Sequence, residues 1–133
     1  MGKVRVLLDT NIVLDYFTAR MNDGNAEKLV QLGRSSSYEM CIPFLTAVNV
    51  MYVVRKLGSR ITPFDMTRYF CILPQDVTQW GDAENLGMSD FEDAVQAACA
   101  LRNDCYIAVS RDHHFNSAPM AVFSPEEFLS RVL

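Results

Sequence analysis

The sequence predicts a single α/β domain in three layers, with helices on both faces of a mostly parallel central sheet. Three observations carry that expectation. The first apolar run, "VRVLL" at Val4–Leu8, is nearly continuous in aliphatic residues rather than alternating, which marks a strand covered on both faces. Strand-like and helix-like segments then alternate along the chain, implying βαβ crossovers and parallel pairing. The 133 residues show no repeat, linker or low-complexity stretch, and suffice for one core without disulfides. One domain, residues 1–133, is therefore expected.

The elements follow in order. A helix is expected from about Ile12. Asn25 should cap a second helix ending at Leu32, with Gly33 as a left-handed C-cap. Ser35 to Ser37 is a loop, and Tyr38 to Ile42 a second strand. Thr46 can cap a helix carrying Val48, Val50, Met51, Val53, Val54 and Leu57 before Gly58 ends it. In "TPFD", Thr62 is the N-cap, Pro63 the first helical residue and Asp65 an acid in the first turn. Cys71 to Leu73 suits a short strand, and Asp76 opens a helix running toward Leu86 and Gly87. In "SDFEDAVQAACAL", Ser89 and Glu92 make a capping box, and Phe91, Val95, Ala98 and Cys99 trace an apolar face. Strands over Cys105–Val109 and Met120–Phe123 follow. Ser124, Pro125 and Glu127 start the C-terminal helix.

Composition narrows the partners. Half the residues are hydrophobic and about a fifth charged, as in ordinary globular proteins. A net charge of −4 argues against a generally basic nucleic-acid coat, although a local patch such as Arg55, Lys56 and Arg60 can still contact RNA. The apolar stretch Phe44–Val54 falls well short of the ~20 residues that span a bilayer. The N-terminal run is brief and ends in an acid, unlike a signal peptide. A cytoplasmic protein without membrane contacts is expected. Cys41, Cys71, Cys99 and Cys105 lack C-x-x-C spacing and read as small hydrophobes rather than disulfide or zinc partners.

The acids are the informative residues. Asp9 ends a buried strand, where a charge costs free energy unless something compensates it. Asp112 follows the strand ending at Val109. Asp90 and Asp93 sit three apart in the first turn of one helix, on one face. Ligands in parallel α/β sheets gather beyond the carboxyl ends of the strands, so three chain segments can bring acids to one rim. Such a cluster calls for a hard cation with oxygen ligands, Mg²⁺ or Mn²⁺. Thr10 and Asn11 either cap the next helix or orient Asp9. Acids in a first turn also complement the helix dipole without any metal. Asp15 reads as helix surface, and Asp104 as a loop acid.

The stretches "LLDTNIVLDYF", "DFEDAVQAACA", "IAVSRDHHF" and "VFSPEEFL" together resemble the PIN domain, the fold of bacterial VapC-type toxin ribonucleases. The resemblance spans nearly the whole chain. It implies cleavage of single-stranded RNA by acids that bind Mg²⁺ or Mn²⁺, with Asp9, Asp93 and Asp112 as direct ligands and Asp90 as an accessory acid. Arg111, Arg55 and Lys56 are then the expected RNA contacts. It also implies an antitoxin partner, and a homodimer to which Met51, Tyr52 and Met66 could contribute. Two positions depart from the family pattern. Asn49 stands where a glutamate is usual and offers no charge, so weakened activity is expected. His114, beside His113, stands where relatives often carry an acid; the pair also suits a solvated loop. Two rival readings stay open. One is a catalytically impaired PIN-fold module that binds RNA or protein. The other is a phosphohydrolase using Asp9 as nucleophile, although its D-x-D-x-T pattern needs an acid at Asn11.

Overall fold

The aliphatic run at the N-terminus lies at the centre of the sheet in the computed structural model, which describes residues 2–112, 115 and 117–132. The elements are β1 (Val4–Leu8), α1 (Thr10–Thr18), α2 (Asn25–Leu32), β2 (Tyr38–Pro43), α3 (Phe44–Lys56), α4 (Pro63–Tyr69), β3 (Cys71–Leu73), α5 (Thr78–Asn85), α6 (Phe91–Arg102), β4 (Ile107–Val109), β5 (Ala121–Phe123) and α7 (Pro125–Val132). The five strands run in the order β3-β2-β1-β4-β5, and every pair is parallel.

Alternate residues of β1 feed two different cores. Val6 and Leu8 pack with Ile12, Leu29, Met40, Val50 and Phe128 under α1, α2, α3 and α7. Leu7 packs on the other face with Ala97, Ala100, Cys105 and Ala108 beneath α6. This is the three-layer arrangement. It explains why β1 lacks alternation: both of its faces are buried.

Two starts match the capping pattern closely. The Thr62 amide donates to Asp65 Oδ2 at 2.8 Å and the Asp65 amide to Thr62 Oγ1 at 3.2 Å. The Ser124 amide donates to Glu127 Oε1 at 2.9 Å and the Glu127 amide to Ser124 Oγ at 3.1 Å.

Other expectations are corrected. Helix α1 begins at Thr10 rather than Ile12, because Asp9 itself is the cap. Thr46 lies buried inside the first turn of α3, which starts straight after Pro43. Asp90, not Ser89, caps α6. Phe91 is half exposed and Val95 only partly buried, so the packed face of α6 is its alanines, Ala94, Ala97 and Ala98. Strand β4 starts at Ile107 because Cys105 still closes α6, its amide donating to Ala100 O at 2.9 Å after Asp104 turns through φ 58°. Gly33 is right-handed at φ −66°. It is glycine for room: a Cβ there would meet Met40 Cγ at 2.7 Å. No helix among the described residues is long and apolar enough to cross a membrane.

Candidate active site

Strands β1 and β4 are neighbours in register, Leu8 opposite Val109, so Asp9 and Ser110 leave the sheet side by side. The Ser110 hydroxyl donates to Asp9 Oδ2 at 2.7 Å and accepts from the Asp112 amide at 2.9 Å. The Thr10 amide donates to Asp9 Oδ1 at 2.8 Å, which seats the carboxylate at the N-terminus of α1. Burial pushes the Asp9 pKa up. Hydrogen bonds from Ser110, Thr10 and Gln96 oppose the rise, and the charge of Asp112 adds to it.

Helix α6 enters the same rim. Its cap Asp90 accepts from the Asp93 amide at 3.0 Å, fixing that turn. Asp93 is buried, and its Oδ2 has no hydrogen-bond partner among the described residues. Its pKa is pushed up to about 7, first by burial and then by the charges of Asp90, Asp9, Asp112 and Glu92. Acids from β1, β4 and α6 therefore share one electrostatic neighbourhood. An orphaned, buried carboxylate oxygen among like charges and oxygen-only donors fits a hard divalent cation.

The remaining candidate residues separate from this group. The Arg111 guanidinium is held by Asp15 and lies 3.6 Å from Asp23. Asp15 is buried rather than on the helix surface, because Arg111 and Arg20, the latter at 3.1 Å, neutralise it. Thr10 contributes its backbone amide to Asp9. The Asn11 side-chain oxygen accepts from Arg20 at 3.5 Å. Asn49 is exposed and lines a cavity of about 480 Å³ with Thr46, Gln96, Trp80, Phe91 and Glu92. Arg55 and Lys56 lie at the far end of α3, ~16 Å along the axis from its start. There Arg55 Nε donates to Ile61 O at 3.0 Å, and the Lys56 ammonium sits 5.0 Å from the Tyr52 ring centre. Met66 is core and so cannot serve a dimer surface, whereas Tyr52 is exposed. His113 and His114 lie outside the described residues.

Two residues at the rim are not among the candidates that the sequence marks. Gln96 is buried and holds the Asp9 pKa down, three residues after Asp93 on the same helical face. Ser110 precedes Asp112 by two in "VSRD". In both cases spacing from a candidate acid was the available signal.

The sequence model of the PIN domain family matches residues 5–114. Ribonuclease VapC1 of Aquifex aeolicus (strain VF5) is 23% identical over 142 residues, covering 98% of this chain and 97% of that protein. Solved structures share the fold at low identity. VapBC2 from Rickettsia felis, bound to a DNA fragment from their promoter, superposes with a TM-score of 0.64 at 15% identity, covering 91% of this chain and 98% of that one. A toxin–antitoxin complex from Klebsiella pneumoniae gives 0.63 at 19%, covering 90% and 97%.

Proposed function

The chain belongs to the PIN domain family, and from that premise we propose that it is a metal-dependent ribonuclease cleaving single-stranded RNA, the toxin of a toxin–antitoxin pair. The observation that carries this reading is the buried Asp93 Oδ2, which has no hydrogen-bond partner among the described residues and feels the charges of Asp9 and Asp112. Asp9, Asp93 and Asp112 would hold Mg²⁺ or Mn²⁺, with Asp90 in support through the turn that it caps. The bound cation would supply a lowered water pKa and charge stabilisation at the phosphate. Ser110 holds Asp9 in place, and both Ser110 and Gln96 favour its ionised form. With its pKa pushed up to about 7, Asp93 would be about half protonated near neutral pH, and a bound cation would displace that proton.

The similarity to VapC1, a ribonuclease, and to toxin–antitoxin complexes supports both the RNA substrate and an antitoxin partner. A homodimer is supported by exposed apolar side chains: Phe44, Leu45 and Tyr52 on α3, and Trp80 on α5. Asn49 adds no charge to the rim and is read as the reason for reduced activity. Arg55 and Lys56 would meet RNA away from the cut, while Arg111 reaches it only if Asp15 lets go.

The test is cleavage of single-stranded RNA in Mn²⁺ by wild type, Asp9→Ala and Asn49→Glu. Asp9→Ala should lose activity by roughly 100-fold or more, and Asn49→Glu should gain. Undiminished cleavage by Asp9→Ala would sink the assignment. If Asn49→Glu gains nothing, Asn49 is not what limits the rate. The neutral Asn49 also favours one second reading, a binding module. RNA binding without Mn²⁺ binding in a titration would support it.

A further inference from the structure

Four cysteines distant in sequence meet on one side of the sheet. Cys41 and Cys71 are register partners on neighbouring parallel strands, so both side chains leave the same face. Glu39, two residues before Cys41, shares that face. The ligand atoms of Glu39, Cys41 and Cys71 all lie within 4.8 Å of one another. Cys99 packs against Cys41, and the nearby Cys105 thiol donates to Ile107 O at 3.7 Å. All four are free cysteines. Glu39 is the register partner of Arg5 and Cys41 of Leu7, four and two residues before Asp9, so ~7–13 Å of strand separates this cluster from the acidic rim.

We propose that Glu39, Cys41 and Cys71, with water in the fourth position, form a Zn²⁺ site distinct from the acidic rim. The donor set is the first argument. Sulfur with one carboxylate suits Zn²⁺, whereas the oxygen-only rim suits Mg²⁺ or Mn²⁺. Charge is the second. Two thiolates and the Glu39 carboxylate are balanced by a divalent ion and Arg5, whose Nε donates to Glu39 Oε1 at 3.0 Å and whose Nη1 is fixed on Asn103 O at 2.8 Å. Access is the third: Cys41 is buried, but Cys71 and Glu39 are only partly so and leave a way in. Tetrahedral Zn²⁺ needs its donor atoms roughly 3.5–4 Å apart, a closure that rotation of the Cys71 and Glu39 side chains can supply. Without metal the pair stays protonated. Contact with Cys105, partly offset by Cys71, and burial push Cys41 up to about 12. Contact with Cys41 and burial raise Cys71 as well. Metal binding must therefore expel protons, roughly two per ion.

Reduced, chelator-stripped full-length protein titrated with Co²⁺ and then Zn²⁺ tests this. We expect one equivalent of Co²⁺ to give a thiolate charge-transfer band that Zn²⁺ bleaches, with proton release. The band should persist in Asp9→Ala, vanish in Cys71→Ser and need at least tenfold more metal in Glu39→Gln. Absence of the band in wild type overturns the site, as does its survival in Cys71→Ser. Should Cys71→Ser fail to fold, Glu39→Gln decides, because an unchanged titration there removes the carboxylate from the site. Mn²⁺ binding by folded Cys71→Ser is the separate check on the ribonuclease reading.

Discussion

Asp9 performs two tasks with one carboxylate. Oδ1 caps α1, and Oδ2 is held by Ser110, so a charge at the end of a buried strand is offset by a helix terminus and a hydroxyl. Among the described residues nothing compensates Asp93 Oδ2 in this way, with a measurable consequence. Its folded pKa, about 7, stands above the ordinary 3.8. Between those values the folded chain holds a proton that the unfolded chain has released. Metal-free protein should therefore lose stability as pH rises from about 4 to about 7. Asp9, raised in the same direction, adds to that slope. Melting temperatures over this range should fall in wild type and flatten in Asp93→Asn, while saturating Mn²⁺ should raise the neutral-pH value. An equal slope in Asp93→Asn would place the titrating group elsewhere.

Among the elements, α6 is the one that positions acids, and its start depends on a single side chain. Ser89 and Glu92 suggest a capping box, yet the Asp93 amide is taken by Asp90. Both Ser and Asp are good N-caps, so local preference alone does not separate two neighbouring candidates. Asp90→Ala should cost about 1 kcal/mol in urea unfolding, and Ser89→Ala close to nothing. The reverse order would return the cap to Ser89. The alanine face of α6 is a related case. Phe91 and Val95 look like core from hydropathy, but Ala94, Ala97 and Ala98 are the residues small enough for close packing, which leaves Phe91 half exposed.

At the scale of the molecule, a charge network ties α1 to the segment after β4. Asp15 on α1 holds Arg20 and Arg111, and Arg111 reaches on to Asp23 before α2. Removing one partner of a buried pair leaves the other uncompensated, which typically costs 3–5 kcal/mol. Arg111 is a quarter exposed and keeps Asp23, so about 2–3 kcal/mol is expected for Asp15→Ala by chemical denaturation. Arg20→Ala, at a half-exposed position, should cost under about 1 kcal/mol. Equal costs would show that the network is surface decoration.

The continuous aliphatics of β1, the boxes at Thr62 and Ser124, and the alternation of helices with strands were all legible in sequence, because each depends on residues within one or two turns. The same local logic marked Asp9, Asp90, Asp93 and Asp112 as candidates. Only the folded chain decided the rest. Pairing of β1 with β4 is what sets Ser110 against Asp9, and pairing of β2 with β3 is what sets Cys41 against Cys71. Arg111 neutralises Asp15 from 96 residues away and so lets it be buried. Parallel strands are joined by long crossovers, so their register is fixed by how whole layers pack, and spacing along the chain carries no record of it.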